Sequence, residues 1–354
     1  MGSGKYLTVL LGSLLLLGVG CVSFSTGGTS TMADGGLFKS GDRGETWQQK
    51  TAVLTVGGEA RNFSNTNAAT IVQDPADARA LYMGTSENGL FYSHDAGESW
   101  SQPAQLNRGR IASVTVNPKD KCDIYVTTEN KVMKSRDCAR SWTTTYLDPR
   151  PEKKMVAVVV DHFNPNIVWT ANDAGDVLKS TDAGESWANV VTMKSPVMRI
   201  LMNAVESRRL YVATKNTGIW RTDDGGANWQ DLSEVYRSFS GSMEFMDMVL
   251  GVSDPNTVIF ASKYGLLRST NGGDEWESIE LLTTPGSTAI YSVTVDPKDV
   301  NNIYYGTATT FYRSQNGGVN WVPKKLPSSR AATFLLVDSL NPSTVYMGVT
   351  RFKK

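Results

Sequence analysis

Short runs of alternating apolar and polar residues recur along the whole chain, each closed by turn-forming residues. Gly89–Tyr92, Asp176–Lys179, Gly218–Arg221 and Gly265–Arg268 are four such runs, and each stops at a Ser or Thr. A second kind ends in Asn-Pro or Asp-Pro, as in Ser113–Val116 before Asn117 and Ser292–Val295 before Asp296. A third kind follows that punctuation, as in Leu81–Thr85 and Ile303–Thr307. The order predicts a repeated unit of inner strand, Asx-Pro turn, second strand, tight hairpin, third strand, turn and outer strand.

The turn after the third strand has a fixed wording, [Ser/Thr]-x-[Asp/Asn]-x-Gly-x-x-Trp. Seven copies begin at Ser40, Ser93, Ser135, Ser180, Thr222, Ser269 and Ser314, and successive copies lie 42 to 53 residues apart. Their acids and amides are Asp42, Asp95, Asp137, Asp182, Asp224, Asn271 and Asn316. Their tryptophans are Trp47, Trp100, Trp142, Trp187, Trp229, Trp276 and Trp321. The hydroxyl and carboxylate can accept backbone N–H groups within the turn, Gly allows a left-handed conformation, and Trp buries a large ring. These residues are therefore expected to be structural. A strand-rich unit with a period in the forties predicts a propeller of four-stranded antiparallel blades. The first third-strand run, Gly35–Lys39, has no partners before it, and Thr333–Val337 with Thr344–Val349 has no box after it. Together they supply one blade, which predicts an all-β, seven-bladed ring closed by strands from both ends.

The box is similar to the Asp-box, or bacterial neuraminidase repeat, found in sialidases, xyloglucanases, sortilin ectodomains and photosystem II stability/assembly factors. That resemblance covers residues 34–350 and implies the fold; because the motif serves unrelated activities, it leaves function open.

Residues 1–20 resemble a lipoprotein-type signal peptide: Lys5 precedes an apolar run from Tyr6 to Val19, and the stretch ends at Cys21. Gly18 departs from the Leu usual in a lipobox, and Gly18 with Gly20 also suits ordinary cleavage. Cys21 is the expected lipidation site, residues 21–33 a Ser/Thr/Gly-rich tether, and residues 34–354 the propeller. An exported, cell-envelope protein anchored to a membrane is expected. Cys122 starts a second strand and Cys138 sits in the third box, where Ala139 replaces Gly. Folding that hairpin brings the two cysteines together, so a disulfide is expected, the alternative being two buried thiols.

Composition is that of a globular chain: 354 residues, 40% hydrophobic, 20% charged, formal net charge +0. Neutrality removes any global attraction to nucleic acid. The links between blades are richer in Lys and Arg than in acids. Arg110, Lys154, Arg199 and Arg330 fall at or near the starts of inner strands and are expected to ring the mouth of the central channel. A positive mouth on the face opposite the boxes would suit an acidic protein surface or an anionic ligand; solvated loop charges are the plain alternative. The assembly factors are similar in holding a client on an Arg-rich propeller patch, which implies a binding or scaffold role. The glycosidase resemblance implies a glycan as the other possible partner. A sialidase would need an Arg triad and a Tyr–Glu pair; Tyr291 with Glu244 is conceivable, but no Phe/Tyr-Arg-Ile-Pro stretch occurs. A xyloglucanase places two acids between two propellers, and one propeller cannot form that cleft. Two His residues, His94 and His162, fall in turns, and no phosphate-binding Gly loop occurs. No catalytic set, metal site or cofactor is expected.

Overall fold

The computed structural model describes residues 1–2, 33–55 and 60–352. The expectations for Cys21, the leader and the tether therefore lie outside the described residues. Strands are the dominant regular structure of the described residues from 33 to 352, beside one short helix and one 3-10 turn. Seven sheets stand around one axis. Numbered from the first inner strand, blade 1 is Ala68–Gln73, Leu81–Thr85 and Leu90–Ser93. Blade 2 is Ile111–Asn117, Asp120–Thr128, Lys131–Ser135 and Thr143–Leu147. Blades 3, 4, 5 and 6 have inner strands Met155–Val160, Val197–Met202, Phe245–Leu250 and Ser292–Asp296. Blade 7 is composite: Ala331–Val337 and Val345–Thr350 pair with Gly36–Ser40 and then Gln48–Gln49. The register runs from Gly36 opposite Val349 to Ser40 opposite Val345. Every inner strand touches the inner strands of both neighbouring blades, so the ring is closed.

Blade 1 differs from the four-stranded unit. Its outer strand shrinks to one antiparallel bridge, Tyr92 to Ser101. A hairpin of Ala52–Val53 and Arg61–Asn62 occupies the space beside it, with Trp100 N–H donating to Ala52 and Leu54 N–H to Trp100. This extra hairpin comes from the long first repeat, and it gives the exposed sheet edge hydrogen-bonding partners.

Alternation along each strand puts apolar residues on both sheet faces, and adjacent blades pack them face to face. Seven clusters result, one per boundary: Tyr82 and Leu90 meet Ile111 and Ile124 between blades 1 and 2, and Leu37 and Tyr346 meet Ile71 and Met83 between blades 7 and 1. Buried large side chains such as Trp100, Trp169 and Phe260 belong to these layers.

Each box folds the same way. In blade 3, Ser180 Oγ accepts the N–H groups of Asp182 (3.3 Å) and Gly184 (2.8 Å) and donates to Asp182 Oδ1 (2.7 Å). Asp182 in turn accepts Ser186 N–H at 2.9 Å and its hydroxyl at 2.5 Å. The fourth and fifth box positions both take positive φ: Ala183 at 57° and Gly184 at 88°. The fourth-position N–H returns to a carbonyl at or just before the start of the second strand, as from Ala183 to Asn166 at 2.8 Å. The Trp indole caps the turn in several copies, as when Trp187 donates to Gly184 at 3.1 Å.

A series of cations locks six of the seven boxes to the blade before. The penultimate residue of the third strand, just before the box Ser or Thr, reaches forward to the fourth-position carbonyl of the next box. Lys39 donates to Ala96 (2.9 Å), Lys134 to Ala183 (3.1 Å) and Lys179 to Gly225 (2.9 Å). Arg221 donates to Gly272 (2.8 Å), Arg268 to Gly317 (3.1 Å) and Arg313 to Arg43 (3.2 Å). Lys134 and Arg221 are buried, so these charge-assisted bonds are little screened.

Candidate functional site

The boxes and the first turns share one face of the disc. The second-to-third hairpins and the links between blades form the other, and the four predicted basic residues all fall on or below that second face. Six of the seven inner strands begin there with a register shift that leaves one extra residue: Ala69, Ala112, Val156, Met198, Met246 and Thr333. In blade 6 the equivalent is Tyr291, whose N–H bonds Gly306 while Ser292 also pairs with Gly306. Such bulges re-aim side chains at a sheet end. Here they set a collar of small and apolar side chains around the channel mouth. Met198 is 43% exposed, and Phe352 is 54% exposed with its ring 5.0 Å from that of Tyr291.

The structure separates the four basic residues. Arg199 lies in the channel, where it pairs with Asp247 of blade 5 and its guanidinium sits 5.5 Å from the ring of Phe334 in blade 7. Asp247 Oδ1 also accepts Met248 N–H and Oδ2 accepts Val293 N–H, both at 2.9 Å. Blades 4, 5, 6 and 7 thus converge on one ion pair. Desolvation lowers Arg199 to about 10, so it stays charged at neutral pH. Arg330 is buried at 5% exposure. It donates to Asp34 (3.2 Å), the carbonyls of Asn65 (3.0 Å) and Thr66 (3.3 Å), and Asn67 Oδ1 (2.8 Å). It ties the link before blade 7 to the start of the propeller and to the link before blade 1. Its donors face protein and not the mouth.

Arg110 and Lys154 remain on the surface. Lys154 Nζ lies 2.5 Å from Glu129 Oε2, and its own N–H bonds Asp173 at 2.9 Å. The Lys154 bond, and then Lys154 and Arg110 charge, hold Glu129 below the usual carboxylate range. Other link cations are also paired: Arg150 with Asp148 and Asp176, and Arg237 with Glu234. Lys324 lies on the outer strand of blade 6 and pairs with Glu45. The mouth is therefore a mosaic with an apolar side at blades 4 to 7 and a charged side at blades 2 and 3.

The conceivable catalytic pair is engaged separately: Glu244 pairs with Lys263 at 2.9 Å and Tyr291 packs on Phe352. Asp247 is bonded on both oxygens. Among the described residues no cluster of three or more His, Cys, Asp or Glu is grouped for a metal. A surface hollow of about 490 Å³ is open and lies at the blade 7 edge beside the extra hairpin, lined by Gln49, Lys50, Arg61 and Glu98 among others. The Tyr236–Met248 segment is core packing at its start: Tyr236 ends a short helix, Ser233–Tyr236, is fully buried, and its hydroxyl accepts Ile219 N–H at 2.8 Å. The collar and the Arg199–Asp247–Phe334 contact were not read from sequence. The only available signal was an extra residue at the start of each inner strand.

Comparison with known proteins agrees with the repeat. The BNR/Asp-box repeat profile matches residues 91–102. The chain is an Asp-box β-propeller. The profile described as photosynthesis system II assembly factor YCF48 matches residues 110–248 of the propeller, blades 2 to 4 and the inner strand of blade 5 up to Met248. A xyloglucanase of Paenibacillus sp. is 25% identical over 263 residues, 70% of this chain and 24% of that enzyme. The photosystem II assembly lipoprotein Ycf48 of Synechococcus sp. is 26% identical over 100 residues, 28% of this chain and 30% of that protein. The chain spans about a quarter to two fifths of the length of these xyloglucanase relatives. Among solved structures, the GH74 xyloglucanase from Xanthomonas campestris superposes with TM-score 0.66 and 15% identity, over 80% of this chain and 51% of that one. YCF48 from Cyanidioschyzon merolae gives 0.64 and 14%, over 80% of this chain and 95% of that one. YCF48 bound to D1 peptide gives 0.61 and 14%, over 82% and 94%. At these identities the superpositions establish the fold of the Asp-box propeller alone.

Proposed function

We propose that this propeller is an exported, Cys21-anchored binding protein without catalysis, which holds a segment of a protein partner on the face opposite its boxes. The observation that carries this reading is the mosaic mouth. Apolar Met198, Met246, Tyr291 and Phe352 lie on one side of it, and Arg110 and Lys154 on the other. Its acids are already committed to ion pairs and backbone N–H groups. Rigid blades presenting an adaptable Met and aromatic surface beside charge suit protein recognition. Two likenesses support it: the YCF48 profile over residues 110–248 and the fold shared with YCF48 bound to D1 peptide. The test is recovery of partners from envelope membranes with Arg110→Glu/Lys154→Glu and, separately, Met198→Asp. Loss of the same partner in both variants is expected. Undiminished recovery in both discards the reading. Arg199 and Arg330 are left intact because their pairs hold the fold.

The second reading, a glycoside hydrolase, is favoured by the 25% identity to a xyloglucanase over 263 residues. Under it, purified protein releases reducing sugar from xyloglucan, and Asp247→Asn or Glu244→Gln abolishes release.

A further inference from the structure

Box by box, the fourth position is held in the same two ways, except in blade 2. Its N–H bonds a carbonyl at or just before the start of its own second strand at 2.8 to 3.0 Å in six boxes, as from Gly225 to Arg208 and from Gly272 to Asn256. In blade 2 the bond from Cys138 to Cys122 is 3.3 Å, the longest of the seven. In six boxes the fourth-position carbonyl also accepts a Lys or Arg from the blade before. Blade 1 carries Tyr92 at the donor position, so no cation can reach Cys138 from there. The fifth position is Gly in six boxes; in blade 2 it is Ala139, at φ 68° beside Cys138 at φ 58°. Non-Gly residues disfavour that conformation. One box thus lacks the cation, lacks the fifth-position glycine and has the longest return bond. The same two residues that share this bond, Cys122 and Cys138, are joined by a disulfide.

We propose that the Cys122–Cys138 disulfide replaces the missing cation as the anchor of the blade 2 box, making this turn a redox-dependent element in a ring whose other six turns are redox-blind. A dithiol opens it: one thiolate attacks a sulfur, the S–S bond breaks, and the second thiolate completes exchange. Two protons and two electrons pass to Cys122 and Cys138, and the dithiol leaves as its cyclic disulfide. The intact device then belongs to an oxidising compartment. The released turn sits in the blade that also carries Arg110 and Glu129, so its loosening would be felt in the first blade of the YCF48-like region.

The experiment is amide hydrogen exchange of the full chain, resolved by box, with and without dithiothreitol. A thiol count before and after reduction fixes the redox state. Reduction is expected to speed exchange of residues 138–142 at least tenfold, while the boxes at Ser180 and Thr222 change less than twofold. Equal exchange in both states, or equal acceleration of all boxes, overturns the proposal. Tyr92→Lys supplies the absent cation, and Ala139→Gly removes the strained side chain. Each is expected to cut the acceleration in the reduced state at least threefold and to leave the oxidised state unchanged. If neither variant protects the reduced turn, the disulfide does not stand in for the cation.

Discussion

At the scale of single residues, the chain places charge where backbone groups need partners. Asp34 is the clearest case: burial opposes its ionisation, but hydrogen bonds from Ser329 and Arg330 outweigh that and lower it to about 2. Its ordinary value is near 3.8. A depressed carboxylate stabilises the fold above its ordinary value, and that contribution is lost as pH falls through the folded one. Asp34→Asn should therefore destabilise the protein at pH 6 by at most about 2 kcal/mol. The gap between variant and wild type should close as pH falls from 4 to 2, read from urea midpoints at each pH. A gap independent of pH would show that the carboxylate charge is not what matters. Asp34 could not be singled out from sequence, because Arg330 lies 296 residues away and the pairing exists only once the ring closes.

At the scale of the element, the Asp box is a turn whose Ser or Thr and Asp or Asn side chains point inward to its own backbone. Ser180 is 1% exposed and accepts the buried Gly184 N–H. Ser180→Ala leaves that donor without its partner and should cost about 1–3 kcal/mol in chemical denaturation. Arg136→Ala removes only an exposed pair with Glu185 and should cost less than about 0.5 kcal/mol. Equal costs would contradict the turn-internal role of the hydroxyl. The box was legible in sequence because seven copies repeat one spacing, and so was the position of Cys122 beside Cys138. The cation column was equally present as Lys39, Lys134, Lys179, Arg221, Arg268 and Arg313, each just before a box. It carried no meaning until the blade direction was known, since its acceptors are backbone carbonyls in the next repeat. The reduced outer strand of blade 1 was hidden for another reason: Trp100 pairs with an inserted hairpin that no other repeat possesses.

At the scale of the whole molecule, stability rests on closure. Arg330 fastens the link before blade 7 to Asp34 and to Asn65, Thr66 and Asn67. Arg330→Ala leaves Asp34 and three backbone or amide acceptors short of a donor, and it should cost about 3–5 kcal/mol. Hydrogen exchange should rise first in Gly36–Ser40, the strand that completes blade 7. Exchange rising evenly in all blades would mean that the seam is no weaker than the rest. The functional face was only half legible at this scale. Basic residues in the links can be counted in a sequence, but their engagement cannot. Arg199 is spent on Asp247 and Phe334 and Arg330 on the seam, while Lys154 stays at the surface beside Glu129. What remains for a partner is the charge of Arg110 and Lys154 beside apolar surface from bulges, which no local pattern announces.

The pairing of Gly36 with Val349 also makes the position of the chain break incidental to the architecture. A circular permutant that joins Phe352 to Ala33 through a short Gly-rich loop, and opens instead between Tyr264 and Gly265 in blade 5, should assemble the same disc, with its weakest strand relocated from blade 7 to blade 5.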